Sequence, residues 1–329
     1  MTSGAPSVTR RRVATEPGIE IDVAEAGPTD GPVVVLLHGF PESAYSWRHQ
    51  LAPLADAGYR VLAPDQRGYV DSSAPAAAHA YSADHLTADV CALLDDAGAE
   101  QAVIVGHDWG ALLAWHLAML QPERCRAVFA ASVPFNTWPA PPTAVYRRMH
   151  GDRFFYINYF QAPGVAEAEL EPQVARFLNA IYWAIAGDLA ATRRPTDAPE
   201  AGTTLIDDFE AMIGGAPDTP PPWLGADGFA VFVDQFRRSG LHGPINWYRN
   251  FDENYELTRH VDPAALTMPT AFVAGEHDPV IARRHLIDTQ DHLLPNHLGS
   301  QVIDGAGHWV QQEAPAEFNE WLLGVLARL

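Results

Sequence analysis

Six short runs rich in apolar residues constrain this chain most: Val33 to Leu37, Arg60 to Ala63, Ala102 to Val105, Ala127 to Ala131, Thr270 to Ala274 and Ser300 to Ile303. Each is too short for a stable helix and reads as a strand of a parallel sheet covered on both faces. Helical patterns lie between them. Ser82 stands at the N-cap of a helix that puts Leu86, Val90, Leu93, Leu94 and Ala97 on one face. Pro315 opens a last helix whose Phe318, Trp321, Leu322, Val325, Leu326 and Leu329 do the same. Such alternation predicts an α/β fold. Ahead of it, residues 8 to 26 alternate around Pro17-Gly18, which predicts an antiparallel hairpin at the sheet edge, with residues 1 to 7 frayed.

The rhythm breaks at Pro134. From Trp138 the chain runs through Pro139, Pro141 and Pro142 into aromatic-rich, helix-compatible sequence, and strand character returns only near Met268. This predicts an inserted domain at 138–262, between a core of 1–137 and its continuation at 263–329. Within the insert, residues 195 to 228 hold six prolines, among them Pro220, Pro221 and Pro222, and read as one long ordered loop.

Composition removes whole classes of function. The 41 acidic against 21 basic residues give a net charge of -20, the wrong sign for nucleic acid or an anionic membrane. Every basic residue is Arg, so a Schiff-base lysine, a pyridoxal phosphate anchor and a Walker A lysine are all excluded. Cys91 and Cys125 lie in apolar stretches and read as core thiols of a reduced, cytoplasmic protein, not as a disulfide or metal site. No stretch approaches the roughly 18 apolar residues of a membrane span.

The chemistry begins after the run Ala102 to Val105, where Gly106, His107, Asp108, Trp109 and Gly110 lead into the apolar run Ala111 to Leu120. Strand, sharp turn and helix form the context of the G-x-S-x-G nucleophile elbow, here with Asp in place of serine. Alone, Asp108 reads equally as a helix N-cap or as a nucleophile. Its partners decide. An elbow of this kind takes its acid and base from loops after late strands, in that chain order. Asp278 follows Thr270 to Ala274, with Glu276 as an alternative acid, and His308 follows Ser300 to Ile303. Upstream, Val33 to Leu37 runs into His38, Gly39 and Phe40, so the N–H groups of Phe40 and Trp109 can form an oxyanion hole. His38 and His107 flank these turns and read as structural.

The segments HGFPESAYSWRHQ (38–50), GYRVLAPDQRGY (58–69), GHDWG (106–110), PERCRAV (122–128), FFYINYFQAPGVAEAELE (154–171), NWYRN (246–250), AGEHD (274–278) and GAGHW (305–309) resemble the soluble epoxide hydrolases of the α/β-hydrolase superfamily. The resemblance spans residues from about 9 to 328 and implies a mostly parallel eight-stranded sheet flanked by helices, with a mainly helical cap inserted. It implies Asp108 as nucleophile, His308 as base, Asp278 as acid, and Tyr156 and Tyr248 as cap tyrosines that protonate the epoxide oxygen; Tyr159 is the alternative to Tyr156. Two departures are visible. Val70 stands where relatives often carry glycine, and Ile157 and Asn158 differ from some relatives' cap motif.

A carboxylate suits this reaction because it is already ionised at neutral pH and can attack a saturated carbon unaided. The alkoxide that leaves needs an acid opposite, which two phenols can supply. His308, oriented by Asp278, then activates water against the ester on Asp108. These steps call for no cofactor and no metal. The implied partners are a small apolar epoxide and water, with the chain a monomer or homodimer. Phe40, Trp109, Phe160, Trp183 and Trp247 are the candidate pocket liners. The rival readings are a haloalkane dehalogenase, which shares the GHDWG elbow, and a hydrolase-fold binding protein without turnover.

Overall fold

The computed structural model describes residues 8–193, 202–282 and 285–329; residues 1–7, expected to fray, lie outside them, as do 195–201 of the expected loop. Eight strands form one sheet: β1 (Thr9–Glu16), β2 (Ile19–Ala26), β3 (Val33–Leu37), β4 (Arg60–Asp65), β5 (Ala102–His107), β6 (Cys125–Ala131), β7 (Thr270–Gly275) and β8 (His297–Ile303). Their order is β1-β2-β4-β3-β5-β6-β7-β8. β1 and β2 form the antiparallel hairpin at the edge, β2 meets β4 antiparallel, and all later pairings are parallel. The central strands are apolar at consecutive positions because both faces are covered. Val33, Val35 and Leu37 enter one hydrophobic cluster, Val34 and Leu36 the other.

This order positions the site. The chain places β4 on one side of β3 and β5 on the other, so the loops after β3 and β5 emerge side by side at a topological switch point. The helix Trp109–Leu120 leaves that point buried on nearly every face, which its uniformly apolar sequence requires.

Between β6 and β7 the regular elements of the described residues are all helical. Here two readings are corrected. The stretch 195–228 is not one loop: residues Leu205–Met212 form a helix and another starts at Gly225. The prolines cluster at its ends, leaving Thr204 free to cap, its Oγ accepting the Asp207 N–H at 3.2 Å, while Leu205, Ile206 and Phe209 bury one face. Ser82 occupies the N-cap of the helix Ala83–Ala97 but does not cap it with its side chain. Its Oγ donates to the His79 carbonyl at 2.9 Å, and the Ala83 N–H finds Asn254 Oδ1 at 2.7 Å instead. Among the described residues, no helix is long and apolar enough to cross a membrane.

Candidate active site

Asp108 holds a backbone conformation of φ 51° and ψ -115° between β5 and its helix. A residue with a Cβ reaches that region only at a cost of about 1–3 kcal/mol, so the surroundings must enforce it. They do so by leaving no room: a Cβ on Gly106 would lie 2.1 Å from the Gly110 carbonyl oxygen, and one on Gly110 would lie 2.0 Å from that of Leu37. The two glycines let strand, helix and the loop after β3 touch backbone to backbone, which thrusts the Asp108 side chain outward.

The carboxylate then meets two different environments. Asp108 Oδ1 accepts the Phe40 N–H at 2.9 Å, and the Trp109 N–H also acts to favour the charged carboxylate. Asp108 Oδ2 lies 3.8 Å from His308 Nε2. Burial raises the Asp108 pKa above its ordinary value, against the pull of His308, His107 and the two N–H donors.

His308 Nδ1 lies 3.1 Å from Asp278 Oδ1. Burial alone would lower the His308 pKa, but the Asp278 charge and hydrogen bond, then Asp108 and Glu42, push it up to about 9. Burial works against the Asp278 carboxylate as well, yet His308 and the Ser132 hydroxyl hold its pKa below the usual value. Glu276, the alternative acid, is elsewhere: its Oε2 accepts the Gly305 N–H at 3.1 Å. His38 and His107 are fully buried and tied into the surrounding loops. His38 Nε2 accepts the Gln66 N–H at 3.1 Å, while His107 bridges Glu42 at 2.7 Å and the His308 carbonyl at 2.7 Å.

The helical side brings aromatic rings. Tyr248 packs edge to face on Trp109 at 4.8 Å, on Phe40 at 5.2 Å and on Phe160 at 4.7 Å, with Tyr156 at 5.9 Å. Burial, the Asp108 charge and each phenol's neighbouring tyrosine raise the pKa of Tyr156 and Tyr248 well above the ordinary value, so both keep their protons. The Tyr159 hydroxyl donates to Glu169, a bond within the insert, which leaves Tyr156 as the tyrosine beside Tyr248.

Two expected liners, Trp247 and Trp183, are anchored by their indole N–H groups. Trp247 is fully buried, its N–H on the Arg67 carbonyl at 3.0 Å and its ring against Tyr69 and Trp109, so it buttresses Trp109 from the core. Trp183 is held by its indole N–H on the Thr219 carbonyl at 2.7 Å. Two residues went unnoticed in the sequence. Phe251 packs on Trp109 at 4.8 Å, and it was findable, since it directly follows NWYRN. Ser132, fully buried at φ 71°, places its Oγ 3.0 Å from His308 Nδ1; a lone serine after a strand carries no sequence signal.

Residues 32–315 match the family described as the alpha/beta hydrolase fold. The chain is 44% identical to Epoxide hydrolase A of Mycobacterium tuberculosis, over 99% of both chains. The chain belongs to the epoxide hydrolases of the α/β-hydrolase fold. Epoxide hydrolase B of the same organism is 38% identical, covering 95% of this chain and 96% of the relative. Among solved structures, Epoxide Hydrolase A from Mycobacterium thermoresistibile superposes with a TM-score of 0.90 at 44% identity over 98% of both chains. The epoxide hydrolase family thus covers both the sheet and the helical segment between β6 and β7 in this chain.

Proposed function

We propose that this epoxide hydrolase family member converts an apolar epoxide and water into a vicinal diol through an ester on Asp108, with residues 138–262 acting as a cap over the core. The observation that carries the reading is the division of the Asp108 carboxylate, with Oδ1 held by the Phe40 N–H and Oδ2 beside His308. Oδ2 attacks an epoxide carbon, the carbon–oxygen bond breaks, and the alkoxide takes a proton from Tyr156 or Tyr248.

Ester formation removes the Asp108 charge, one of the charges that hold His308 protonated. Its pKa falls and the neutral base appears when it is needed. His308 then takes a proton from water, hydroxide adds to the Asp108 carbonyl carbon, and the oxyanion forms on Oδ1 between the Phe40 and Trp109 N–H groups. Collapse breaks the ester carbon–oxygen bond, the departing alkoxide takes the proton of the new Asp108 carboxyl to give the diol, and the proton that His308 shed after ester formation restores the tyrosine. The steps as written need no cofactor and no metal.

The dehalogenase reading would need N–H donors for halide, whereas the Phe40 ring packs on Tyr248, Tyr248 on Tyr156, and both phenols feel the Asp108 charge. Incubating the protein with styrene-type, aliphatic and fatty-acid epoxides and with a haloalkane tests this. Diol without halide release is expected; halide release without diol would overturn the reading.

A further inference from the structure

The loop Gly305–Trp309, which carries His308, is docked backbone to backbone on residues 185–187 of the helical insert. The His308 N–H donates to the Ile185 carbonyl at 2.9 Å. A Cβ on Gly187 would lie 2.0 Å from the Gly305 carbonyl oxygen, and one on Gly307 would lie 2.3 Å from the Gly187 nitrogen, so no side chain fits between the segments. One carboxylate spans the junction. Glu313 Oε2 accepts the Gly187 N–H at 2.7 Å and the Gly307 N–H at 2.9 Å, and Oε1 accepts the Trp309 N–H at 2.9 Å. Its donors thus come from the insert and from both chain neighbours of His308.

The same part of the insert reaches the other hydrolytic groups. The Tyr182 hydroxyl donates to the Pro41 carbonyl at 2.8 Å, one residue from the Phe40 N–H, and the Tyr182 carbonyl accepts the Trp309 indole at 3.2 Å. Arg193 donates to the Ala186 carbonyl at 2.8 Å and to the His277 carbonyl at 2.8 Å, one residue from Asp278. Oxyanion donor, acid and base are therefore all referenced to one stretch of the insert.

We propose that Glu313 is a positioning residue for ester hydrolysis, clamping the His308 loop onto residues 185–187 so that base, acid and oxyanion donor share one geometry. The proposal rests on the two-step reading above. Ring opening does not depend on the clamp, because the close-packed glycines of the elbow fix the Asp108 backbone from the core alone. No other side chain replaces a carboxylate that accepts three N–H groups. Gln keeps one acceptor oxygen and turns an NH₂ toward the remaining donors, and Ala leaves all three without a partner.

Single-turnover experiments with a styrene-type epoxide, following ester formation and ester hydrolysis separately in wild type, Glu313→Gln and Glu313→Ala, test this. Ester formation should stay within about 3-fold of wild type, while hydrolysis slows about 10-fold in Glu313→Gln and about 100-fold in Glu313→Ala, as an ångström-scale displacement of the base would give. Should Glu313→Ala fail to fold, Glu313→Gln carries the test alone. Equal slowing of both steps, or unchanged hydrolysis, would overturn the positioning role while leaving the two-step reading intact. Absence of any ester in the wild type would overturn that reading and the positioning role with it.

Discussion

On the core side of the site the Asp108 carboxylate is gripped by backbone: Phe40 and Trp109 N–H groups, and two glycines whose neighbours touch them directly. On the helical side it faces side chains, with Tyr156 and Tyr248 set in place by ring packing on Trp109, Phe40 and Phe160. Backbone donors at a strained turn cannot move without unfolding the loops that present them, and they suit an oxyanion whose position never changes. Packed rings are held by side-chain contacts alone and suit the part of the site that would meet an apolar substrate under the proposed reading. Under the proposed mechanism the oxyanion side would serve hydrolysis and the tyrosine side ring opening, with Asp108 shared by both.

Variants that remove the shared element should be the most severe. Asp108→Ala should lower diol formation by on the order of 10⁴-fold or more while leaving the fold intact, because neither side has a second nucleophile; substantial residual turnover would break the comparison at its centre. Next comes the tyrosine side. Tyr156→Phe and Tyr248→Phe should each slow ester formation clearly, and the double variant should lose roughly 100- to 10,000-fold, with ester hydrolysis far less affected. Stopped-flow single turnovers resolve the steps, and a double variant that still alkylates at near the wild-type rate would remove the tyrosines from the mechanism.

Ser132→Ala probes the hydrolytic side more gently. It removes a hydroxyl 3.0 Å from His308 Nδ1 but leaves Asp278 in place, so hydrolysis should slow by roughly 2- to 12-fold with ring opening unchanged. The smallest effect is on pH dependence. His308 in the free protein is pushed up to about 9, partly by the Asp108 charge, and the ester lacks that charge. The hydrolysis step should therefore rise with pH through an apparent pKa below 9 and then level off; a midpoint above 9 in single-turnover hydrolysis would contradict the sign.

The same contrast explains what could be read from the sequence. The backbone-built side was legible because glycine spacing and apolar runs are fixed by sterics: Gly106, Gly110 and the strands β3, β5 and β7 leave few alternatives. Val70 belongs here too, since it adopts φ 50°, a left-handed conformation that favours glycine, in keeping with the departure noted from the family it resembles. The side-chain side was not legible from periodicity. Tyr156 and Tyr248 came from the family resemblance, the indole anchors of Trp183 and Trp247 lie on distant carbonyls that no local spacing records, and the helix Leu205–Met212 was obscured by prolines that only flank it. Ser132 and Glu313 act through hydrogen bonds between distant segments, which neither local spacing nor composition records.

The central claim is that one carboxylate is alkylated from one side and released from the other. It is tested most directly by mixing His308→Gln protein with an epoxide and measuring intact mass, followed by peptide mapping. The account predicts protein heavier by one epoxide, with the added mass on Asp108 and no diol accumulating beyond the first turnover. Unmodified His308→Gln protein, or an adduct mapped to any residue other than Asp108, would contradict it.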